Sequence, residues 1–157
     1  MAGVLGCGGT KDYIIRCGVG LCDEYVPSGA SGAFVAGPLS ITISRVWGRR
    51  FTPGGPVNIV VELNIRNAAD DEAPFDAASL ELLLPETSSS FRSVIGDPDT
   101  AAVLIPGTIR PLSAHRLRAG EVLVGVVWYQ LPDMEFIRTL QLSYASATIT
   151  LAPAARR

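Results

Sequence analysis

The sequence predicts an all-β fold, an antiparallel sandwich of about seven to eight strands, and three observations support this prediction. Apolar and polar residues alternate with a period of two in several segments, as in strands with one buried face. Short clusters of glycine, proline and aspartate separate these segments at the spacing of turns. No segment shows a convincing helical period. The same strands would also suit a closed barrel, which stays open as the alternative.

The first two strands are expected at 39–46 and 57–66. In 57–66 an apolar residue occupies every second position, and Val60 is the one apolar residue among the positions between them. Only a sheet with one face in water requires this pattern over such a length. The interior positions that it predicts are Ile59, Val61, Leu63 and Ile65.

The later strands are predicted from less regular patterns. Alternate leucines in 77–84 predict a strand that ends at Pro85, although leucine and alanine also suit a helix. Nearly every residue of 122–131 is apolar, as in a strand that is buried on both faces or covered by the N-terminal arm. The further strand candidates are 91–95, 112–117, 140–144 and 147–151.

The chain divides into three regions. Its 157 residues fit one domain that is large enough to bury a core. That domain is expected at 37–152, where the alternation lies. Residues 1–36 hold all three cysteines and much of the glycine without sustained periodicity, which indicates an irregular N-terminal arm with room for one short strand. Residues 153–157 are a tail.

Composition argues against several classes of protein. The net charge of −2, without a clustered basic excess, argues against a nucleic-acid partner. Arg45, Arg49 and Arg50 form the one dense basic group before the tail, and they sit beside a turn. No apolar run reaches the roughly 18–20 residues that span a bilayer, and residues 1–6 form no complete signal peptide. We therefore expect a cytosolic protein, a virion protein or a mature form whose leader was removed.

The three cysteines permit one local disulfide and leave one thiol over. Cys17 and Cys22 flank a glycine-rich turn that can bring two Cα atoms within disulfide range, so they are the disulfide candidate. The residues around Cys7 resemble the end of a bacterial lipoprotein signal, which makes Cys7 the lipidation candidate. Three ordinary thiols are the alternative.

The sequence predicts neither a catalytic site nor a cofactor or metal site. His115 is the single histidine, and no nucleophile-elbow signature accompanies it. The three cysteines and His115 have ligand atoms that suit zinc, but their spacing matches no standard zinc motif. An acidic loop has the carboxylates that calcium prefers, although such a run is more typical of a solvated turn. Its carboxylates are Asp70, Asp71, Glu72 and Asp76.

Large apolar residues without a clear place in the predicted core are candidates for an interface. Trp128 and Tyr129 are adjacent in a predicted strand and must face opposite sides. We expect one of them in the core and the other under the arm or against another chain. The candidates within the arm are Tyr13, Ile14, Ile15 and Tyr25.

The order of four segments carries a resemblance to a known family. A strand from Leu39 to Trp47 leads into a longer strand that ends at Asn67. A leucine-x-leucine strand follows at 80–84, and a Gly-Glu turn later introduces a strand that runs into Pro132. Over about residues 39–151, this order resembles the immunoglobulin-like, telokin-like domain of secreted bacterial proteins and lipoproteins. The resemblance implies an immunoglobulin-like sandwich in an extracytoplasmic binding or structural module, and it supplies no catalytic residues.

We therefore expect a non-enzymatic binding or structural module of a cell envelope or secreted protein. The alternative is a structural subunit of a larger assembly, such as a virion decoration protein or an extracellular filament. In both cases the arm would engage a protein partner, a second subunit or a lipid anchor, while the β domain closes its own core. Residues 13–16 are the segment expected to add as a strand to a neighbouring subunit. Otherwise the arm folds back over 122–131.

Overall fold

The computed structural model describes residues 20–27, 32–50, 56–85, 87–94, 111–131 and 140–153. Within these ranges the chain is all-β, as predicted, with one short 3-10 turn at Ala77–Ser79. None of the described elements is a helix of the length and apolar character that crossing a membrane requires. The strands are β1 Gly20–Pro27, β2 Ala33–Ala36, β3 Leu39–Arg50, β4 Val57–Asn67, β5 Ala73–Asp76, β6 Glu81–Leu84, β7 Ser89–Arg92, β8 Ala114–Leu117, β9 Val122–Leu131, β10 Leu140–Tyr144 and β11 Ala147–Pro153.

Most of these strands join in one large sheet. Its order is β9-β4-β3-β1-β11-β10-β6-β7, with β2 also paired to β3, and β5 and β8 form a separate two-stranded sheet. The first half of β3 pairs with β2, and its second half pairs with β1 after an irregularity between Ile43 and Arg45. All of these strand pairs are antiparallel, as the sequence predicts.

One continuous apolar core lies between two parts of the large sheet. Strands β3, β4 and β9 contribute side chains to it, and so do β6, β10 and β11, which lie far away in the sheet order. The sheet must therefore fold over on itself for these side chains to meet, which gives a sandwich-like arrangement. The four predicted interior residues of β4 are fully buried, which confirms the face that the alternation assigns to them. These residues are Ile59, Val61, Leu63 and Ile65.

Two tyrosines connect strands across this core. Tyr129 of β9 is fully buried, and its hydroxyl donates a 2.8 Å hydrogen bond to the backbone oxygen of Leu80. Burial raises the pKa of Tyr129, so its hydroxyl keeps the proton that it donates. The Tyr144 hydroxyl accepts a 3.1 Å hydrogen bond from the Asp76 N–H, and its ring stacks on Phe75 with centroids 5.3 Å apart. These contacts fix β9 against the residue that precedes β6, and β10 against β5.

The structure differs from the prediction in the N-terminal arm. Residues 20–27 and 33–36, which the sequence assigns to the arm, are the strands β1 and β2. β1 pairs with β3 on one side and with β11 on the other, so it lies inside the sheet. The sequence hides this because the pairing partners are distant in the chain and the segment has no alternation of its own. Residues 1–19 lie outside the described residues.

The segment 77–84 is a strand only in its second part. Asp76 accepts a 3.0 Å hydrogen bond from the Ala78 N–H and so caps the 3-10 turn Ala77–Ser79. Aspartate side chains compete in this way with the strand conformation. The strand β6 therefore begins at Glu81, and β5 occupies part of the chain that the sequence assigns to the acidic loop.

Candidate functional site

The outer face of β2, β3, β4 and β9 points away from the main core and has two unlike halves. In the first half, Trp47 of β3, Val60 of β4 and Trp128 of β9 lie side by side in register. All three are buried, together with Val126, and Val94 packs against them. We call this part of the face the covered half.

The second half of the same face is open to solvent. Two rows of side chains cross it in register, one from Val35 on β2 to Val122 on β9 and the next from Ala33 to Val124. Val35 is 68% exposed, Val122 is 52% exposed and Val124 is 55% exposed. We call this part the open face. Its residues are Ala33, Val35, Ser40, Thr42, Asn64, Arg66, Val122 and Val124.

The three valines give the open face an apolar surface. Among the residues whose side-chain burial the structure describes, they are the exposed large hydrophobic ones, and all three lie on this one face. Arg66 is the single charged residue among the eight. An exposed apolar surface among polar side chains is typical of a contact site for another protein.

The open face continues to a free sheet edge on β9. The backbone oxygens of Val126 and Trp128 point away from β4 and accept 2.8 Å hydrogen bonds from the N–H groups of Leu112 and Val94. The hydrogen-bonding direction alternates from residue to residue along an antiparallel strand. The backbone N–H and C=O groups of Val122 and Val124 therefore also point away from β4. β9 is the last strand of the sheet. A single parallel bridge joins Pro111 to Val126 on this edge, and none of the described strands pairs there with Val122–Gly125.

A polar cluster around Asn67 fixes the start of β9 at the end of the open face. Asn67 is fully buried, and its side-chain amide donates hydrogen bonds to three backbone oxygens. Its backbone N–H donates to the oxygen of Glu121, and its backbone oxygen accepts from the N–H of Gly120. Gly120 has a φ of 74°, a conformation that glycine adopts without strain. The three oxygens belong to Asp71, Leu117 and Arg118.

The side chain of Glu121 stabilises the turn before Val122. Its Oε1 accepts a 2.8 Å hydrogen bond from the Arg118 N–H, and its Oε2 lies 3.2 Å from Nε2 of His115. The hydrogen bond from Arg118, followed by the contact with His115, holds the pKa of Glu121 below its ordinary value. His115 thus contacts a surface carboxylate that helps to position the first residue of β9.

The carboxylates considered for calcium have separate roles. Glu72 pairs with Arg116 at 2.7 Å, and Asp76 caps the 3-10 turn. Asp70 and Asp71 are exposed in the loop between β4 and β5. Among the described residues, no three histidine, cysteine, aspartate or glutamate side chains are arranged to hold a metal ion.

The aromatic interface candidates Trp128 and Tyr129 face opposite sides of β9, and both are buried within this chain. Tyr129 lies in the main core, and Trp128 lies in the covered half, where its Nε1 has no hydrogen-bond partner among the described residues. Cys22 and Tyr25 belong to β1. The pairing of Cys17 with Cys22 and the lipidation of Cys7 stay predictions. The candidates that lie outside the described residues are Cys7, Tyr13, Ile14, Ile15 and Cys17.

Sequence reasoning does not find the open face. The apolar composition of 122–131 predicts cover on both faces, and the structure supplies it only from Gly125 onward. Val35 falls in a region without alternation. Composition gives no signal that separates exposed Val124 from buried Val126, because the cover comes from distant parts of the chain.

Comparisons with known proteins give similar folds and indicate no activity. The chain matches no family model and no curated protein. It is similar to a conserved hypothetical protein from Bacillus anthracis, with a TM-score of 0.55, 18% identity, and coverage of 82% of this chain and 97% of that one. It is also similar to a functionally unknown protein from Listeria monocytogenes, with a TM-score of 0.54, 13% identity, and coverage of 87% and 90%. The yjhA protein from Bacillus subtilis matches with a TM-score of 0.46, 21% identity, and coverage of 69% and 75%.

Proposed function

We propose that this chain is a non-enzymatic binding or structural module that acts by docking another protein on its open face. The observation that carries the proposal is the exposure of Val35, Val122 and Val124 on one sheet surface. Burial of apolar surface stabilises a complex by roughly 25 cal/mol for each Å² removed from water. The free edge of β9 beside these valines offers backbone hydrogen bonds to the same partner.

An immunoglobulin-like sandwich is part of the same proposal. Its support is the antiparallel pairing and the one core that lies between two parts of the large sheet. The segment order that resembles the telokin-like domain adds to this support. The proposed location in a cell envelope or outside the cell rests on that resemblance.

A structural subunit of a larger assembly is the second candidate function. The observation that favours it is the edge of β9, where Val122–Gly125 carries no charged side chain that would discourage pairing with another chain. In this candidate a contact through the N-terminal arm would belong to residues 1–19, since β1 and β2 are parts of the sheet.

Photo-crosslinking from the open face tests the proposed function. A photoreactive residue replaces Val124, and the full chain is irradiated in its native cells. We expect one discrete adduct with a protein, because position 124 would lie inside the contact. The adduct should disappear when Val35→Asp is added, since a buried unpaired carboxylate is costly in an interface.

The exposed turn residue Ala119 is the matched control position for the photoreactive group. We expect no adduct from that position. The same adduct from both positions, or none from position 124, would contradict docking on the open face.

A further inference from the structure

The part of the β9 edge that no described strand covers is short. The outward backbone groups of Val122 and Val124 lie there, and the next outward residue, Val126, is already bridged to Pro111. An added strand can therefore pair with residues 122–125 before it meets Pro111. A partner for this edge must be a short extended segment with apolar side chains on the side of the open face.

The segment 13–16 of this chain, which lies outside the described residues, has the matching composition. Its sequence is Tyr-Ile-Ile-Arg. Ile15 can lie opposite Val122, and in an antiparallel strand Tyr13 then lies opposite Val124. Each of these opposed pairs exchanges two backbone hydrogen bonds, and the four side chains meet on the open face.

The same register pairs the other side of the segment. Ile14 lies beside Leu123, which packs against the main core. Arg16 lies beside Glu121, whose lowered pKa keeps its carboxylate ionised at neutral pH. Because Arg118 already lies 4.0 Å from that carboxylate, the charge of Arg16 fixes the register and adds little affinity.

A shift of the added strand by two residues loses these contacts. With Ile15 opposite Val124, the preceding residues of the segment meet Pro111, and the charge of Arg16 faces an apolar residue of β9. The opposite shift places Ile15 at Gly120, whose N–H already donates to β4. The edge therefore accepts the segment in one register.

Two other strands, β2 and β7, also pair on one side only among the described strands. Neither strand, nor the residue before it, carries a carboxylate, whereas Glu121 directly precedes β9. β7 also carries Arg92, which would repel Arg16. The charges thus favour β9 as the strand that receives the segment.

The segment cannot reach the β9 edge of its own sheet. Gly20, the first residue of β1, lies in the row that runs through β3 and β4 to Leu131 of β9. Val122 is at the other end of β9, about 30 Å away, since a strand rises about 3.3 Å per residue. The chain from Ile15 to Gly20 spans at most about 18 Å when fully extended.

We infer that residues 13–16 of one chain add as an antiparallel strand to the edge 122–125 of a second copy. The inference rests on the proposed function, since Val122 and Val124 belong to both contacts, and it names the partner. The arm leaves one end of the sheet and the receiving edge lies at the other end. The contact therefore joins unlike ends and can repeat from copy to copy.

Disulfide trapping in the full chain tests this pairing. The three native cysteines are replaced by serine, and circular dichroism with thermal unfolding establishes that the chain is folded. One variant then carries Ile15→Cys and another carries Val122→Cys. Oxidation of their equimolar mixture yields a crosslinked dimer, because opposed residues of an antiparallel pair lie within disulfide range. Neither variant alone yields one.

Two controls test the register and the second copy. Ile14→Cys mixed with Val122→Cys yields no dimer, because position 14 faces the other side of the added strand. A single chain that carries both Ile15→Cys and Val122→Cys yields a ladder of oligomers, since its own segment does not reach its own edge.

Sedimentation equilibrium of the chain with its native cysteines is the second measurement. The wild-type chain associates with itself. Val124→Lys weakens this association by about tenfold, since an apolar contact is lost at the edge. Ser90→Lys on β7 adds the same charge at an exposed position at the other end of the sheet and leaves the association unchanged.

The possible outcomes separate the inference from the proposed function. Equal crosslinking of positions 14 and 15, an intrachain disulfide in the doubly substituted chain, or unchanged association of Val124→Lys overturns the inference. A mixture without crosslinked dimer also overturns it, and an adduct of position 124 with a different protein then leaves the proposed function standing. Absence of both the dimer and any adduct overturns both.

Discussion

The two halves of the outer sheet face are built from the same strands and differ in what lies over them. Val126 and Val124 are two residues apart on β9 and point the same way, yet Val126 is 0% exposed and Val124 is 55% exposed. Val94 packs over the covered half, and the Leu112 backbone closes its edge on β9. A strand's own sequence thus determines which way a side chain points, and distant segments determine whether that side is core or surface.

The largest effect on the fold is expected from the removal of β1 and β2 together. A chain that begins at Gly37 leaves β3 and β11 without the strand between them. We expect it to lose cooperative thermal unfolding, because the two parts of the sheet around the core are no longer joined there. A chain that begins at Gly20 keeps every described strand and is the matched control. A cooperative transition in the shorter chain would show that the arm is dispensable for folding, as the sequence alone suggests.

A substitution on the inward side of β4 separates the core from the open face. Leu63 is fully buried, so we expect Leu63→Ala to cost about 2–5 kcal/mol in the free energy of unfolding. The neighbouring Asn64 points outward, and Asn64→Ala should change that free energy by less than about 0.5 kcal/mol. Urea denaturation measures both changes. An unchanged midpoint for Leu63→Ala would mean that the inward face is assigned wrongly.

Alanine substitutions at Val126 and Val124 compare the covered half with the open face on a single strand. Val126→Ala should lower the free energy of unfolding by about 1.5 kcal/mol, since two buried methyl groups are lost. Val124→Ala should stay within about 0.5 kcal/mol of the wild type. The measurement is urea denaturation at low protein concentration. Equal costs at the two positions would remove the distinction between the two halves.

Glu121→Gln gives the smallest expected effect and depends on pH. Contacts in the folded chain hold the pKa of Glu121 below its ordinary value of 4.5, so its ionised form stabilises the fold. This contribution is complete above the ordinary value and is lost as the pH falls through the lowered one. We therefore expect Glu121→Gln to unfold at a lower temperature than the wild type at neutral pH.

The unfolding temperatures of the wild type and of Glu121→Gln should converge in acid, where the carboxyl of Glu121 is protonated. Thermal unfolding at a series of pH values checks this convergence. A temperature difference that is the same at every pH would show that the charge of Glu121 contributes nothing. His115→Gln is a useful companion variant, since it keeps the hydrogen bond from Arg118 and removes one of the two contacts.

The sequence predicts the inward face of β4 well because alternation along one strand is a local property. It does not predict β1, whose place between β3 and β11 depends on residues far away in the chain. The sequence predicts the strand 122–131 but does not predict that its first residues are exposed. That exposure depends on where other segments stop covering the sheet, and the identities of Val122 and Val124 carry no information about it.

Methyl NMR of valine-labelled protein, with and without the protein that crosslinks to position 124, tests the central claim most directly. The claim is that the open face is a contact surface and that the covered half is core. The account predicts shifts on addition of that protein for the methyl groups of Val35, Val122 and Val124, and much smaller ones for Val60, which is buried in the covered half. Signals of the three exposed valines that stay unchanged at saturating partner, or shifts centred on Val60, would contradict it.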